Sequence, residues 1–297
     1  MRHWFIAGLL TITTSAIAQV DDTTTPDAVQ KNTSALEDLV GAPLSIDLQV
    51  GAWLTRIDGT ASNGGPGANF LNFRDGFRSL GLDELAATFR GELTVSSGEW
   101  GGRLMGAYGK WSGEANVQGA TQWGGQTLTP NTPYDSSLEM SWMGFELLWN
   151  PWVAEGDGDR NTLDPLEITL GPNVGVNWLH VDQSLDTNGG TVENTGSWWT
   201  VYGGAQLAAR VDLRPYTSFL HSMEVGVGGS VGSTVSNGGI FFKVRGGLAL
   251  NFTPNIGAEV GYRLMEYKDL TQDVGGGRQW DLSPRFPGLF VSLNISF

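Results

Sequence analysis

From residue 44 to the end of the chain, apolar and polar positions alternate with a period of two. Ile46, Leu48, Val50, Ala52 and Leu54 alternate with Asp47, Gln49, Gly51, Trp53 and Thr55. Val201, Gly203, Ala205, Leu207, Ala209 and Val211 oppose Tyr202, Gly204, Gln206, Ala208, Arg210 and Asp212. Phe242, Val244, Gly246, Leu248, Leu250 and Phe252 oppose Lys243, Arg245, Gly247, Ala249 and Asn251. Such alternation places one set of side chains on each face of a sheet. It predicts strands over 46–57, 84–95, 100–111, 138–149, 166–180, 198–212, 222–233, 240–252, 256–267 and 286–297. The third has the weakest pattern, because Gly101, Gly102, Gly106 and Gly109 blur its parity.

The connections alternate as well. Segments 58–83, 112–137, 181–197 and 268–285 are long, polar and rich in Gly, Asn and Thr, with 234–239 as a short exception. Between them, 96–99, 213–221 and 253–255 read as short turns. Most of the strands have the roughly 9–11 residues, or slightly more, that a tilted strand needs to cross a hydrocarbon layer. Long loops on one side and short turns on the other are the habit of bacterial membrane barrels. Trp100, Tyr108, Trp149, Trp152, Trp178, Trp198, Trp199 and Tyr267 fall near strand ends, where they suit two interfacial girdles. A soluble β-sandwich would alternate too, but it gives no reason for those aromatics and leaves edge strands to protect. The expected fold is all-β: a closed, antiparallel, up-and-down transmembrane barrel of about ten strands, with eight or twelve as alternatives. An even count puts both termini on the periplasmic side.

The N-terminus adds a compartment. Arg2 and His3 precede the short apolar run 4–10, and Ala16-Ile17-Ala18 matches a small-residue cleavage site, so 1–18 reads as an export signal. Residues 19–43, polar and carrying Pro26 and Pro43, read as a flexible periplasmic lead-in with one short helix at 27–39. The barrel takes 44–297. No later window holds 18 consecutive apolar residues, which excludes a helical membrane protein. The 43 Gly and 12 Trp beside only 16% charged residues suit strands that alternate small lumen residues with aromatic interfacial ones. With no Cys there is no disulfide framework. The net charge of −14 argues against a nucleic-acid partner.

Three features resemble the small bacterial outer-membrane β-barrel superfamily across residues 44–297. The closing strand 289–297 ends on the aromatic Phe297, like the terminal signal such proteins present for membrane assembly. Gly261-Tyr262-Arg263 lies in the penultimate strand, and Leu80-Gly81-Leu82-Asp83 resembles a segment many such barrels carry between their first two strands. The resemblance implies a fold and a place in the bacterial outer membrane. It also implies lipid, lipopolysaccharide and the barrel assembly machinery as partners, and it names no activity.

Candidate chemistry lies first on the lumen parity, which holds Arg90, Glu92, Arg103, Glu146, Arg210, Asp212, Glu224, Lys243, Arg245, Glu259 and Arg263. Charges inside a narrow barrel are costly unless paired or wetted. One reading is a cross-barrel ion-pair network that plugs the interior. The other is a narrow polar pore, with Lys243, Arg245 and Arg263 as a basic patch. Eight-stranded barrels are just filled by side chains and 16–18 strands leave a channel, so ten lies near the filled end. Asp157, Asp159, Asn161 and Asp164 have calcium-loop spacing, but Thr162 and Ile168 stand where Gly and a bidentate Glu are wanted, so an Asp/Gly turn is the better reading. His180, Asp182 and Ser184 share one parity, but residues two apart on a strand are about 6.6 Å apart. That spacing exceeds the roughly 2.6–3.2 Å reach of a working dyad, and no partner on another strand is marked. No omptin-like pairing of two Asp with an Asp–His unit is visible.

A non-enzymatic barrel, structural or weakly conducting and without cofactor, is therefore expected. A small porin-like channel for small polar or anionic solutes is the first alternative, and a surface adhesin acting through 58–83 and 112–137 the second. An omptin-like or lipid A-modifying enzyme is the least favoured.

Overall fold

The computed structural model describes residues 43–64, 77, 80–82, 84–116, 121–155, 166–235 and 238–297. The export signal, the lead-in with its short helix and the calcium-like spacing at 157–164 lie outside the described residues. Ten long strands form the wall: β1 Leu44–Thr55, β2 Ala86–Ser97, β3 Trp100–Asn116, β4 Pro133–Trp149, β5 Leu166–Thr187, β6 Gly190–Asp212, β7 Ser222–Thr234, β8 Ile240–Asn251, β9 Ile256–Lys268 and β10 Gln279–Ser296. Each is hydrogen-bonded to the next in sequence order, and β1 pairs antiparallel with β10 from Asp47↔Ser296 to Thr55↔Gly288, which closes the barrel.

Several segments expected as loops are ladder instead. The β5–β6 hairpin stays paired out to Thr187↔Gly190, so 181–197 is strand apart from its tip. β3 and β4 stay paired to Asn116↔Pro133, and Asp58–Gly64 pairs with the start of β10. Their outward faces are polar, and their inward faces are mainly apolar, with Asn63, Ser136, Gln183 and Asn194 also buried there. The alternation persists through them with its polarity exchanged.

β5 shows the exchange within one strand. Its outward set runs Ile168, Leu170, Val174 and Val176 to Trp178, then changes to His180, Asp182, Ser184 and Asp186. Its inward set carries Asn173 and Asn177 at the lower levels and buried Leu179, Val181 and Leu185 above. β4 repeats this, with Phe145 and Leu147 outside and Glu146 inside, then Ser137, Glu139 and Ser141 outside and Leu138, Met140 and Trp142 inside. β10 does the same: Leu289, Val291 and Leu293 are exposed low on the wall, and Trp280, Leu282 and Phe286 are buried above. A lower, lipid-type barrel with a polar interior therefore passes into an upper barrel with a water-type exterior and an apolar core.

Aromatic side chains mark both limits of the lipid-type zone. Trp100 and Trp149 stack at 5.6 Å, with Trp152 6.2 Å beyond, at the turn end. Trp178 and Trp199 are register partners at the other limit. Trp198 and Tyr267, expected in the girdle, are instead buried inside. They carry lumen parity at a height where the interior is apolar: Trp198 packs on Trp280 and Tyr267 on Phe241.

The chain between β1 and β2 completes this upper core from within. Phe77, Leu80 and Leu82 are fully buried, and the Ser136 hydroxyl donates to the Leu80 carbonyl. The backbones touch there, since a Cβ on Gly113 would stand 1.8 Å from the Gly81 carbonyl oxygen. The Leu80-Gly81-Leu82 segment is thus a plug rather than an exterior loop.

Candidate functional site: the charged lumen

Lumen parity on β2, β3, β4, β8 and β9 brings eight of the expected charges into one network. Glu92 is its hub. Arg90 donates to it at 2.8 Å, Arg245 at 3.0 Å and Arg103 at 3.1 Å, and Arg263 lies 3.7 Å away. Arg103 also reaches Glu146 at 3.3 Å, and Lys243 closes on the same carboxylate. Arg245 grips Glu259 at 2.7 Å through its other nitrogen and takes Gln49 at 3.2 Å. Because β2 and β8 are not neighbours in the wall, the pair between Glu92 and Arg245 crosses the interior.

Aromatic faces cover the cations. Arg90 lies 4.5 Å and Arg245 5.2 Å from the Phe290 ring centroid, and Lys243 lies 4.9 Å from that of Tyr202. Such contacts stabilise a desolvated cation by on the order of 2 kcal/mol. Gly261 makes room for the Phe290 ring: a Cβ there would meet it at 2.6 Å. A ring wedged between guanidinium groups and backed by glycine narrows the section at this level.

Arg210, Asp212 and Glu224 sit elsewhere. Arg210 faces Glu224 in the β6–β7 register towards the turn end, and Asp212 pairs with Arg214 of the following turn. Phe297 is exposed at the end of the closing strand, its amide bonded to the Ile46 carbonyl at 2.9 Å. Among the described residues, no group of three or more His, Asp or Glu is arranged to hold a metal.

Above the charges, a neutral chain crosses the interior. Trp142 Nε1 donates to the Tyr267 hydroxyl at 3.0 Å, which donates to Asn177 Oδ1 at 3.0 Å. Tyr267, whose place near a strand end suits the membrane interface, is instead fully buried in this chain of hydrogen bonds. His180 and Asp182, separated by one strand repeat, do meet: His180 Nε2 lies 3.2 Å from Asp182 Oδ2. The 6.6 Å strand repeat separates backbones, and two side chains leaning along the strand close the gap.

A closed antiparallel barrel, wrapped by an apolar belt between two aromatic limits, is the architecture of outer-membrane β-barrels, because only closure satisfies every backbone group in lipid. No family model matches the chain, and no curated protein matches it. Among solved structures, it is similar to the outer membrane protease OmpT from Escherichia coli at 8% identity, covering 84% of this chain and 97% of that one, with a TM-score of 0.37. It is similar to Ail, the attachment invasion locus protein of Yersinia pestis, at 10% identity, with 85% and 99% covered and a TM-score of 0.32. The COG4313 outer membrane channel from Pseudomonas putida F1 matches at 10% identity, 86% and 95% covered, with a TM-score of 0.30. The class rests on the ladder and the belt of this chain.

Proposed function

We propose that this protein is a sealed, non-conducting outer-membrane barrel that acts structurally and carries a folded β-domain above the membrane. The observation that carries the reading is the double closure of its interior. Eight interlinked charged side chains fill the membrane level, and the apolar core containing Phe77, Leu80 and Leu82 lies above them. Phe290, Tyr202 and Trp142 stand beside the charges and occupy space that a hydrated pore would use, which supports the sealed reading. The small porin-like channel is correspondingly disfavoured. Planar-bilayer recording of the refolded chain tests the reading: silence is expected, and stable, ion-selective steps from correctly folded protein would contradict it.

A second reading, surface attachment, draws on the raised hairpins β3–β4 and β5–β6, whose outward faces are polar above Trp178 and Trp199. It would work through outward strand faces, including those at 112–116 and 133–137, rather than through coil.

A further inference from the structure

The outer face of β5 and β6 carries a polar constellation that a sealed barrel does not need. Ser197 and His180 are register partners, and the serine hydroxyl lies 2.8 Å from His180 Nδ1. His180 Nε2 lies 3.2 Å from Asp182 Oδ2, and Asp182 Oδ1 accepts the Thr195 hydroxyl at 2.6 Å. Trp178 stacks on the imidazole at 5.4 Å with 11° between the planes. A carboxylate that accepts Nε2–H fixes the tautomer and leaves Nδ1 as the acceptor for the serine proton. Nucleophile, base and orienting group are then joined in sequence, with the base held by stacking and the carboxylate by a second hydroxyl. The two ring nitrogens serve in the opposite order from the chymotrypsin arrangement, which leaves the proton path intact.

Height on the wall selects the substrate. Trp178 and Trp199 are register partners at the upper edge of the apolar belt. Ser197 and His180 stand one side-chain repeat above them, about 6.6 Å along the strand. Aromatic belts sit at headgroup level, so the group faces outward on the water side of the belt, within reach of lipid headgroups and of esters that lie near them. Ser197 is exposed, and the other two side chains keep 26% and 33% of their surface.

We propose that Ser197, His180 and Asp182 form an esterase site for the acyl esters of outer-leaflet lipids. The site lies outside the lumen, goes beyond the sealed-barrel reading and stands or falls separately from it. Ser197 Oγ attacks the ester carbonyl carbon as its proton passes to His180 Nδ1. Collapse of the tetrahedral intermediate breaks the bond from carbonyl carbon to lipid oxygen, and that oxygen leaves as an alcohol with the proton from Nδ1. Water then attacks the acyl-serine, giving a proton to Nδ1 that returns to Ser197 Oγ as the free fatty acid departs. Backbone N–H groups lie in the ladder, so the developing oxyanion must take its hydrogen bonds from side chains. Ser141, opposite His180 in the β4–β5 register, stands on the far side of the imidazole from Ser197 and is not placed to supply one.

The test uses full-length refolded protein, checked by heat-modifiable migration, with two readouts. A fluorophosphonate probe is mapped by peptide mass, and fatty acid release is followed from mixed micelles of 1-palmitoyl-2-oleoyl-phosphatidylglycerol. The proposal expects labelling at Ser197 and lipid-dependent release. Both should fall roughly a hundred-fold or more in Ser197→Ala and in His180→Gln, while Ser184→Ala, one repeat further from the belt than Asp182, keeps them. Asp182 is a positioning residue, so Asp182→Asn should also change the pH profile of labelling, which a merely structural role would leave alone. Folded wild type that fails to label, label on another residue, or release that survives Ser197→Ala overturns the site. Labelling of Ser197 without release from the micelles overturns the lipid ester as substrate.

Discussion

Below the level of Trp178 and Trp199 the wall shows valine, leucine and phenylalanine to lipid and holds arginine and glutamate inside. Above it the same strands show serine, aspartate and glutamate to water and hold tryptophan, leucine and methionine inside. Neither region changes strand, register or parity at the boundary; only the solvent outside changes. A side chain's face is fixed by its position in the strand, whereas its polarity must answer to height. The two cores also differ in what holds them. The lower one is a network of ion pairs, in which removing a partner strands a buried charge. The upper one is apolar packing, in which removing a side chain leaves a cavity.

The largest effect should follow from cutting the hub of the lower core. Glu92→Ala leaves Arg90, Arg103, Arg245 and Arg263 around an empty place, at a cost of about 3–5 kcal/mol for a broken buried pair. Urea titration followed by heat-modifiable migration should show the barrel itself weakened. A midpoint unchanged from wild type would mean the charges are wetted.

Trp280→Ala removes a fully buried ring from the upper core and should cost about 3–5 kcal/mol there. Limited proteolysis should then nick the raised hairpins while the heat-modifiable band persists, since the lower ladder is untouched. Loss of both together would mean the two regions unfold as one.

Facing within the lower zone is sharpened by Leu248 and Ala249, neighbours on opposite sides of β8. Leu248→Arg should cost roughly 2–4 kcal/mol if it meets lipid near the midplane. Ala249→Arg faces the interior and should assemble better, unless the filled lumen rejects its bulk. Equal assembly yields in bilayers, or the reverse order, would contradict the register.

The smallest effect belongs to the upper exterior. Lys110 pairs with Glu139 at 2.6 Å on an exposed face. Lys110→Ala should therefore change stability by only about 0.2–1 kcal/mol, and a larger loss in the same titration would mean that face is covered.

Most of the ten strands and their lumen parity are legible from period two together with the alternation of connection lengths, the strand at 100–111 being blurred by its glycines. Height is not. The run 180–187 alternates less cleanly than 242–250, because Gln183 shares the parity of Val181 and Leu185, and its Asp, Gln, Ser and Thr content resembles a loop; composition cannot tell a solvated strand face from a coil. The same blindness sent Trp198 and Tyr267 to the girdle, because an aromatic near a strand end suits an interface as well as an apolar core. Parity put Glu92 and Arg245 on one surface, while their meeting across the interior depends on closure and stagger, which no local pattern records. The contact between His180 and Asp182 was missed because a backbone spacing stood in for the reach of two side chains.

The exchange of faces along a single strand is tested most directly by spin labels placed one at a time along β5, in a chain with no native cysteine. Outward positions 168, 170, 174 and 176 should be accessible to lipid-soluble oxygen and shielded from a water-soluble nickel reagent, and 182, 184 and 186 should show the reverse. Inward positions 179, 181 and 185 should be shielded from both. Oxygen accessibility that continues unchanged through 186, or water accessibility at 179 and 181, would contradict the stacked cores.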